Sequence, residues 1–171
     1  MKKFAILFAG LFLMTFAFQS VNAQGPATET AVTNATIIAP IAITKEVDLN
    51  FGNIAALTND QAVTITPAGM RSSTEPLGLP TTTPGTISAA SFTVTGLADA
   101  TYSIVLPTTF NVESGGNTME VNAFTSTPTP TGVLTGGTET LTVGATINVK
   151  ANQAAGSYTN ASALSVTVAY N

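Results

Sequence analysis

The side chains that usually carry enzymatic chemistry are scarce in this 171-residue sequence, and two types, histidine and cysteine, are missing altogether. Zinc sites of the usual imidazole or thiolate kind, thiol nucleophiles and Ser-His-Asp triads are therefore excluded. The three aspartates, Asp48, Asp60 and Asp99, stand far apart, and no D-x-D-x-D spacing offers a calcium loop. Glycoside hydrolysis needs two facing carboxylates, which distant residues can supply, but such pairs normally come with aromatic platforms for the sugar. There is no tryptophan here, and beyond residue 23 only four phenylalanines and three tyrosines remain. Glu113 and Glu120 flank Gly115-Gly116-Asn117 and read as solvent-facing charges of a hairpin. The Gly-Gly pairs are turn residues, not phosphate cradles. Asn34-Ala35-Thr36 and Asn160-Ala161-Ser162 match the glycosylation sequon, a pattern short enough to arise by chance. No catalytic, cofactor-binding or metal-binding residue is expected, and the chain reads as a non-enzyme.

The elements that must hold these residues begin with a leader. Lys2 and Lys3 precede an apolar run from Phe4 to Phe18, and Val21 and Ala23 place small residues before a cleavage point at Gln24. This is the three-part pattern of a secretory signal, and the run is shorter than the roughly 20 residues a spanning helix needs. Residues 1–23 are thus expected to be removed, and the protein to be secreted to the periplasm, cell surface or beyond. Lys45, Arg71 and Lys150 are then the only basic residues against nine acidic ones, a net charge of −6. Nucleic-acid binding lacks its electrostatic footprint, and no membrane contact is expected after cleavage. Charged residues make up 8% of the chain, against about 25% in ordinary domains, so solvation falls to uncharged polar groups. Threonine, present 31 times, suits both strand backbone and water.

Apolar residues recur with period two and nowhere with period 3.6. Odd positions from Ala35 through Ile37, Ala39, Ile41 and Ile43 resume at Val47, Leu49 and Phe51, and Pro40 places this first strand at a sheet edge. Val63 and Ile65 mark another strand; residues 70–85, with Gly78 and three prolines, read as a loop. Strands follow at Ala90–Val94, Tyr102–Leu106 and Met119–Ala123, with a Thr- and Pro-rich surface loop expected over Thr125–Gly132. The cleanest strand places Leu141, Val143, Ala145, Ile147 and Val149 on one face, and the chain closes on Leu164, Val166, Val168 and Tyr170. Seven to eight short strands punctuated by Gly and Pro predict an all-β, two-sheet β-sandwich. The predicted organisation is a signal peptide over 1–23, a flexible N-terminal segment over 24–34 and one sandwich domain over 35–171.

Ile41-Ala42-Ile43-Thr44 with Leu49-Asn50-Phe51-Gly52, SFTVTG at 91–96, YSIVLP at 102–107, MEVNAFTSTP at 119–128, LTVGATINV at 141–149 and the closing VTVAYN at 166–171 together resemble the secreted bacterial family catalogued as domain of unknown function 4402. More loosely, the early Phe-Gly element and a G-x-Y followed by a strand ending in tyrosine resemble spore-coat-protein-U-type subunits, which are similar to pilins of the archaic chaperone–usher class. That second resemblance implies an immunoglobulin-like, pilin-like sandwich that lacks a strand and is completed by a neighbour's N-terminal segment. It implies as partners copies of itself or related subunits, by strand addition, and a periplasmic chaperone. The candidate assembly edge is then carried by Ile37, Ile41 and Ile43 at the start and Val166, Val168 and Tyr170 at the end. Two departures are that the chain has no cysteine for the disulfide many such pilins carry, and that 24–34 offers little apolar surface beyond Ala27, Ala31 and Val32. The expected function is a pilin-like structural subunit of a surface fibre or layer. The alternative is a self-completed extracellular binding module or adhesin recognising glycan or protein.

Overall fold

The computed structural model describes residues 25–161 and 164–171; the expected signal peptide and its cleavage point lie outside the described residues. Within them the chain is all-β. Its strands are β1 (Ala42–Val47), β2 (Asn50–Phe51), β3 (Gln61–Ile65), β4 (Arg71–Ser73), β5 (Ile87–Ser88) and β6 (Ala90–Thr95). They continue as β7 (Thr101–Val105), β8 (Thr109–Ser114), β9 (Asn117–Thr127), β10 (Thr131–Val133), β11 (Thr138–Val149) and β12 (Thr167–Tyr170).

The organising element is β11. Its odd residues Leu141, Val143, Ala145, Ile147 and Val149 are all buried, as alternation requires, because a one-residue slip would turn the whole set to water. Its first half pairs with β6 through Thr138–Val143, and its second half pairs with β3 through Ala145–Val149. Gly144 sits at the changeover, where any Cβ would run into the Ile65 carbonyl and Pro67, so the side chain must be absent for β3 to leave its partner there. Along the other edge of β11 lies β9. Ala123 and Phe124 oppose the single residue Ala145, a bulge with Ala123 at φ 50° that bends the long strand. With β1 on β6, β4 on β3 and β8 on β9, the sheet reaches seven strands and curls into a half-barrel.

A three-stranded sheet, β10-β7-β12, covers one end of this surface, and β2 pairs only with β5. Between the large sheet and the small one, Ala90, Phe92, Val94, Tyr102, Leu134 and Leu141 form one buried cluster with Val143. A second cluster, around Val63, Val121, Ala145, Ile147 and Val149, lies toward the other end.

Several sequence expectations need correction. The ladder of the first strand begins at Ala42, not Ala35: the alternation runs on across Pro40, but an amide-less residue cannot continue a ladder. Ile37 is 97% exposed. The expected loop over 70–85 contains β4 and a 3₁₀ turn at Pro76–Gly78. The expected loop at Thr125 is still strand as far as Thr127, with buried Ser126 donating to the Pro128 carbonyl at 2.7 Å. Residues 25–36 have no regular secondary structure and are exposed throughout.

Candidate functional site

The described residues hold no cluster of three acidic, histidine or cysteine groups able to bind a metal, and four of their carboxylates, Asp48, Asp60, Glu120 and Glu139, are engaged in hydrogen bonds. Glu120 accepts from Asn122 Nδ2 at 2.6 Å and from Asn148 Nδ2 at 3.2 Å. Glu113 stands opposite Thr118 and Glu120 opposite Asn111, so the two hairpin acids do not face each other. Asp60 bonds the Lys150 ammonium at 2.9 Å and the Ala151 amide at 2.8 Å. These two bonds hold its carboxyl below the ordinary value, an exposed ion pair rather than a catalytic one. Tyr102, with no exposed surface, donates to Glu139 Oε2 at 2.9 Å. Burial first, and then the Glu139 carboxylate, push its phenol well above the ordinary tyrosine value. None of this places an acid and a base around a substrate-sized space.

What the molecule does offer is an open groove of about 750 Å³ where the two core clusters meet. Its floor is the inward face of the large sheet: Ala90 and Phe92 from β6, Val121 from β9 and Ile147 from β11. Phe110 and Val112 of β8 and Met119 of β9 continue that face, half-buried. Phe110 is steadied by Phe124, with ring centroids 5.3 Å apart. One wall runs from Val47 to Ile54 and presents Leu49, Phe51 and Ile54; the other is the irregular run 157–161 with Leu164.

Local chemistry fixes both walls. Arg71 turns a single guanidinium nitrogen on the carbonyls of Phe51 at 2.9 Å, Asn53 at 3.1 Å and Pro84 at 3.4 Å. It thereby holds the bend after β2, where Gly52 adopts φ +72°. Opposite, Thr159 exchanges two backbone bonds with Glu113 at 3.1 Å each. Tyr158 Oη donates to the Ala154 carbonyl at 2.8 Å and accepts from Gln153 Nε2 at 2.8 Å. β1 and β2 each pair on one side only. The small sheet packs on the first cluster, and Leu49, Phe51 and Ile54 pack on the second, so the groove has an apolar floor beside strands paired on one side only. The ion pair Lys45–Asp48, 2.6 Å long, sits at its rim.

None of the six residues expected at an assembly edge lines this groove, but Ile43 on β1 and Val168 and Tyr170 on β12 sit on strands paired on one side only. Ile41, Ile43, Val166, Val168 and Tyr170 are half-buried and pack against the first cluster, and Ile37 is in solvent. Tyr170 Oη donates to the Ala39 carbonyl at 2.9 Å and accepts from the Leu97 amide at 2.6 Å. These two bonds tie the end of β12 to the segment before β1 and to the turn after β6. Sequence reasoning missed the groove, although its apolar positions at Leu49, Phe51, Phe110, Val112 and Met119 stand out in the alternation.

The profile of a family described as a domain of unknown function (DUF4402) matches residues 41–170. The chain belongs to this family. No curated protein matches it, and no solved structure does. Every residue lining the groove lies inside the DUF4402 span, whereas the exposed segment 25–36 precedes it. Among the described residues no helix is long and apolar enough to cross a membrane.

Proposed function

We propose that this DUF4402 protein is a secreted, non-catalytic, pilin-like subunit of a surface fibre or layer, whose immunoglobulin-like sandwich takes up a β-strand from another molecule. The observation that carries this reading is the groove between residues 47–54 and residues 157–161 with Leu164, floored by apolar side chains and bordered by β1 and β2, each paired on one side only. Strand addition uses such an edge for backbone hydrogen bonds, while alternate side chains fill the pockets that set register. An unpaired apolar edge invites uncontrolled pairing, so a dedicated occupant also protects the exported chain. The exposed segment with Val32, 86% exposed, and Ile37 supplies a strand of this kind from the same sequence.

The test is to titrate the purified protein with a synthetic peptide of residues 25–41. Saturable binding that raises the melting temperature, and that Val112→Asp abolishes, supports strand uptake. No binding by a folded monomer removes it. A second reading, a self-completed binding module or adhesin, is favoured by the Tyr170 clasp that ties the end of β12 to the segment before β1. Glycan-array binding by a stable monomer supports that alternative.

A further inference from the structure

Residues 50–55, which carry much of one groove wall, have little ladder of their own. β2 and β5 contribute only the pairs Asn50–Ser88 and Phe51–Ile87. The rest of the hold comes from two polar side chains of the neighbouring strands β3 and β4. Arg71 of β4 stands opposite the buried Ile65, so its backbone is tied to the core. Its guanidinium has no carboxylate partner among the described residues and takes the carbonyls of Phe51, Asn53 and Pro84 instead. Gln61 of β3, itself buried, donates from Nε2 to the Ala55 carbonyl at 2.6 Å. The Asn53 amide donates to the Pro84 carbonyl at 2.7 Å, and the Ala55 amide to the Gly78 carbonyl at 2.9 Å. Residues 53 and 55 thus use both backbone groups inside the chain. By contrast, the Gly52 carbonyl and both backbone groups of Ile54 make no hydrogen bond among the described residues. Gly52 and Ile54 line the groove, whereas Arg71 and Gln61 do not.

We propose that Arg71, seconded by Gln61, is the positioning residue of the groove, fixing residues 51–55 so that the open backbone groups of Gly52 and Ile54 pair with an entering strand in one register. This rests on the strand-uptake reading and names the part of the wall that accepts the strand. A ladder takes its main-chain bonds from alternate residues, and 52 and 54 are such a set. Their neighbours 53 and 55 are already bonded, so the pairing cannot slip by one residue without breaking bonds inside the chain.

The side chains suit the task. A buried glutamine needs its partners in place, and Gln61 finds one in the wall. An arginine carries a delocalised, weakly hydrated charge that can leave water for carbonyl dipoles, whereas a lysine ammonium is compact and strongly hydrated. Gly52 completes the arrangement, because any Cβ there would collide with the Pro84 carbonyl and the Arg71 guanidinium. A wall with two ladder pairs would otherwise have to be ordered as the strand enters, and that ordering would weaken binding.

The experiment is amide hydrogen exchange by NMR on the chain starting at Gln24, alone and with the peptide of residues 25–41. Peptide titrations of Arg71→Met and Arg71→Lys accompany it, after urea unfolding has shown that each variant folds. If Arg71→Met does not fold, Gln61→Leu takes its place, with Ala55 exchange read instead of Asn53. In the wild type the Ile54 amide should exchange freely alone and slow on peptide binding, while the Asn53 and Ala55 amides are slow in both states. Arg71→Met should speed Asn53 exchange and weaken peptide binding about tenfold, with Arg71→Lys between the two. A lowered urea midpoint with unchanged affinity in the folded variants would make Arg71 merely structural and overturn the proposal. So would a bound peptide that leaves Ile54 exchange untouched, because the strand then pairs elsewhere. A wild type that takes up no peptide fails the strand reading itself, and the pairing at Ile54 with it. Asn53 exchange in Arg71→Met then decides alone whether Arg71 holds the wall.

Discussion

Ile147 and Thr146 are neighbours on β11 that point to opposite sides of the sheet, and they calibrate what a residue contributes. Ile147 is 4% exposed and belongs to both the second core cluster and the groove floor. Ile147→Ala should therefore cost about 2–5 kcal/mol. Thr146 shares one hydroxyl hydrogen bond with Thr64, 2.8 Å long, so Thr146→Ala should cost about 1 kcal/mol. Urea unfolding of the two variants measures this, and equal losses would contradict the phase of β11. Tyr102 sets a pH limit. Its phenol value is raised in the folded state by burial and by Glu139, so the stability tied to its neutral form is intact below about pH 10, the unfolded tyrosine value. That stability falls as pH climbs from there toward the folded value. Tyr102→Phe should be less stable at neutral pH, having left Glu139 with the Val133 amide alone. The gap from the wild type should close above pH 10. Urea midpoints between pH 7 and pH 11 decide it; a constant gap would mean that Tyr102 titrates normally.

Between elements, the phenol of Tyr170 joins the end of β12 to the segment before β1 and to the turn after β6. Tyr170→Phe keeps the ring in the core and removes both hydrogen bonds, for an expected loss of about 1–2 kcal/mol. Faster hydrogen exchange at the Leu97 amide, measured by NMR, should accompany it, because that amide donates to Tyr170 Oη; unchanged exchange would show another acceptor in its place. The elements differ in how legible they are from sequence, for physical reasons. β11 and β6 are half-buried strands with one continuous apolar face, so alternation alone gives their phase. β2, β4, β5 and β10 have two or three residues each, too few for a period to show, and polar Arg71-Ser72-Ser73 carries no apolar signal at all. The order β1-β6-β11-β3-β4 depends on Gly144 releasing one partner for another, which only the three-dimensional approach of the Ile65 carbonyl reveals. The groove is harder still. Leu49, Phe51, Phe110 and Val112 alternate in the same way whether a strand covers them or not. Periodicity identifies the face that wants a partner and is silent on whether the chain supplies one.

At the scale of the whole molecule the groove lies where the two core clusters meet, with floor residues drawn from both. The small sheet β10-β7-β12 packs on the first cluster, while Ala90 and Phe92 of that cluster and Val121 and Ile147 of the second, all buried, form the floor of the groove. A net charge of −6 over residues 24–171 makes random contact between copies unfavourable, so association favours a site free of charge, and the groove floor is free of it. If the occupant is the N-terminal segment of another copy, removing it should leave the domain folded and stop its assembly. The chain lacking residues 24–34 is thus expected to unfold at nearly the same urea concentration as the chain starting at Gln24, since residues 25–36 are exposed and take no part in any strand. Size-exclusion chromatography with light scattering should show the longer form growing into oligomers as concentration rises, and the truncated form staying smaller. Val112→Asp in the longer form should block growth as well, by burying an unpaired carboxylate wherever a strand enters. If both lengths remain compact monomers over the whole concentration range and neither takes up the added segment, the groove belongs to a ligand of a self-completed module, and the fibre reading fails with it.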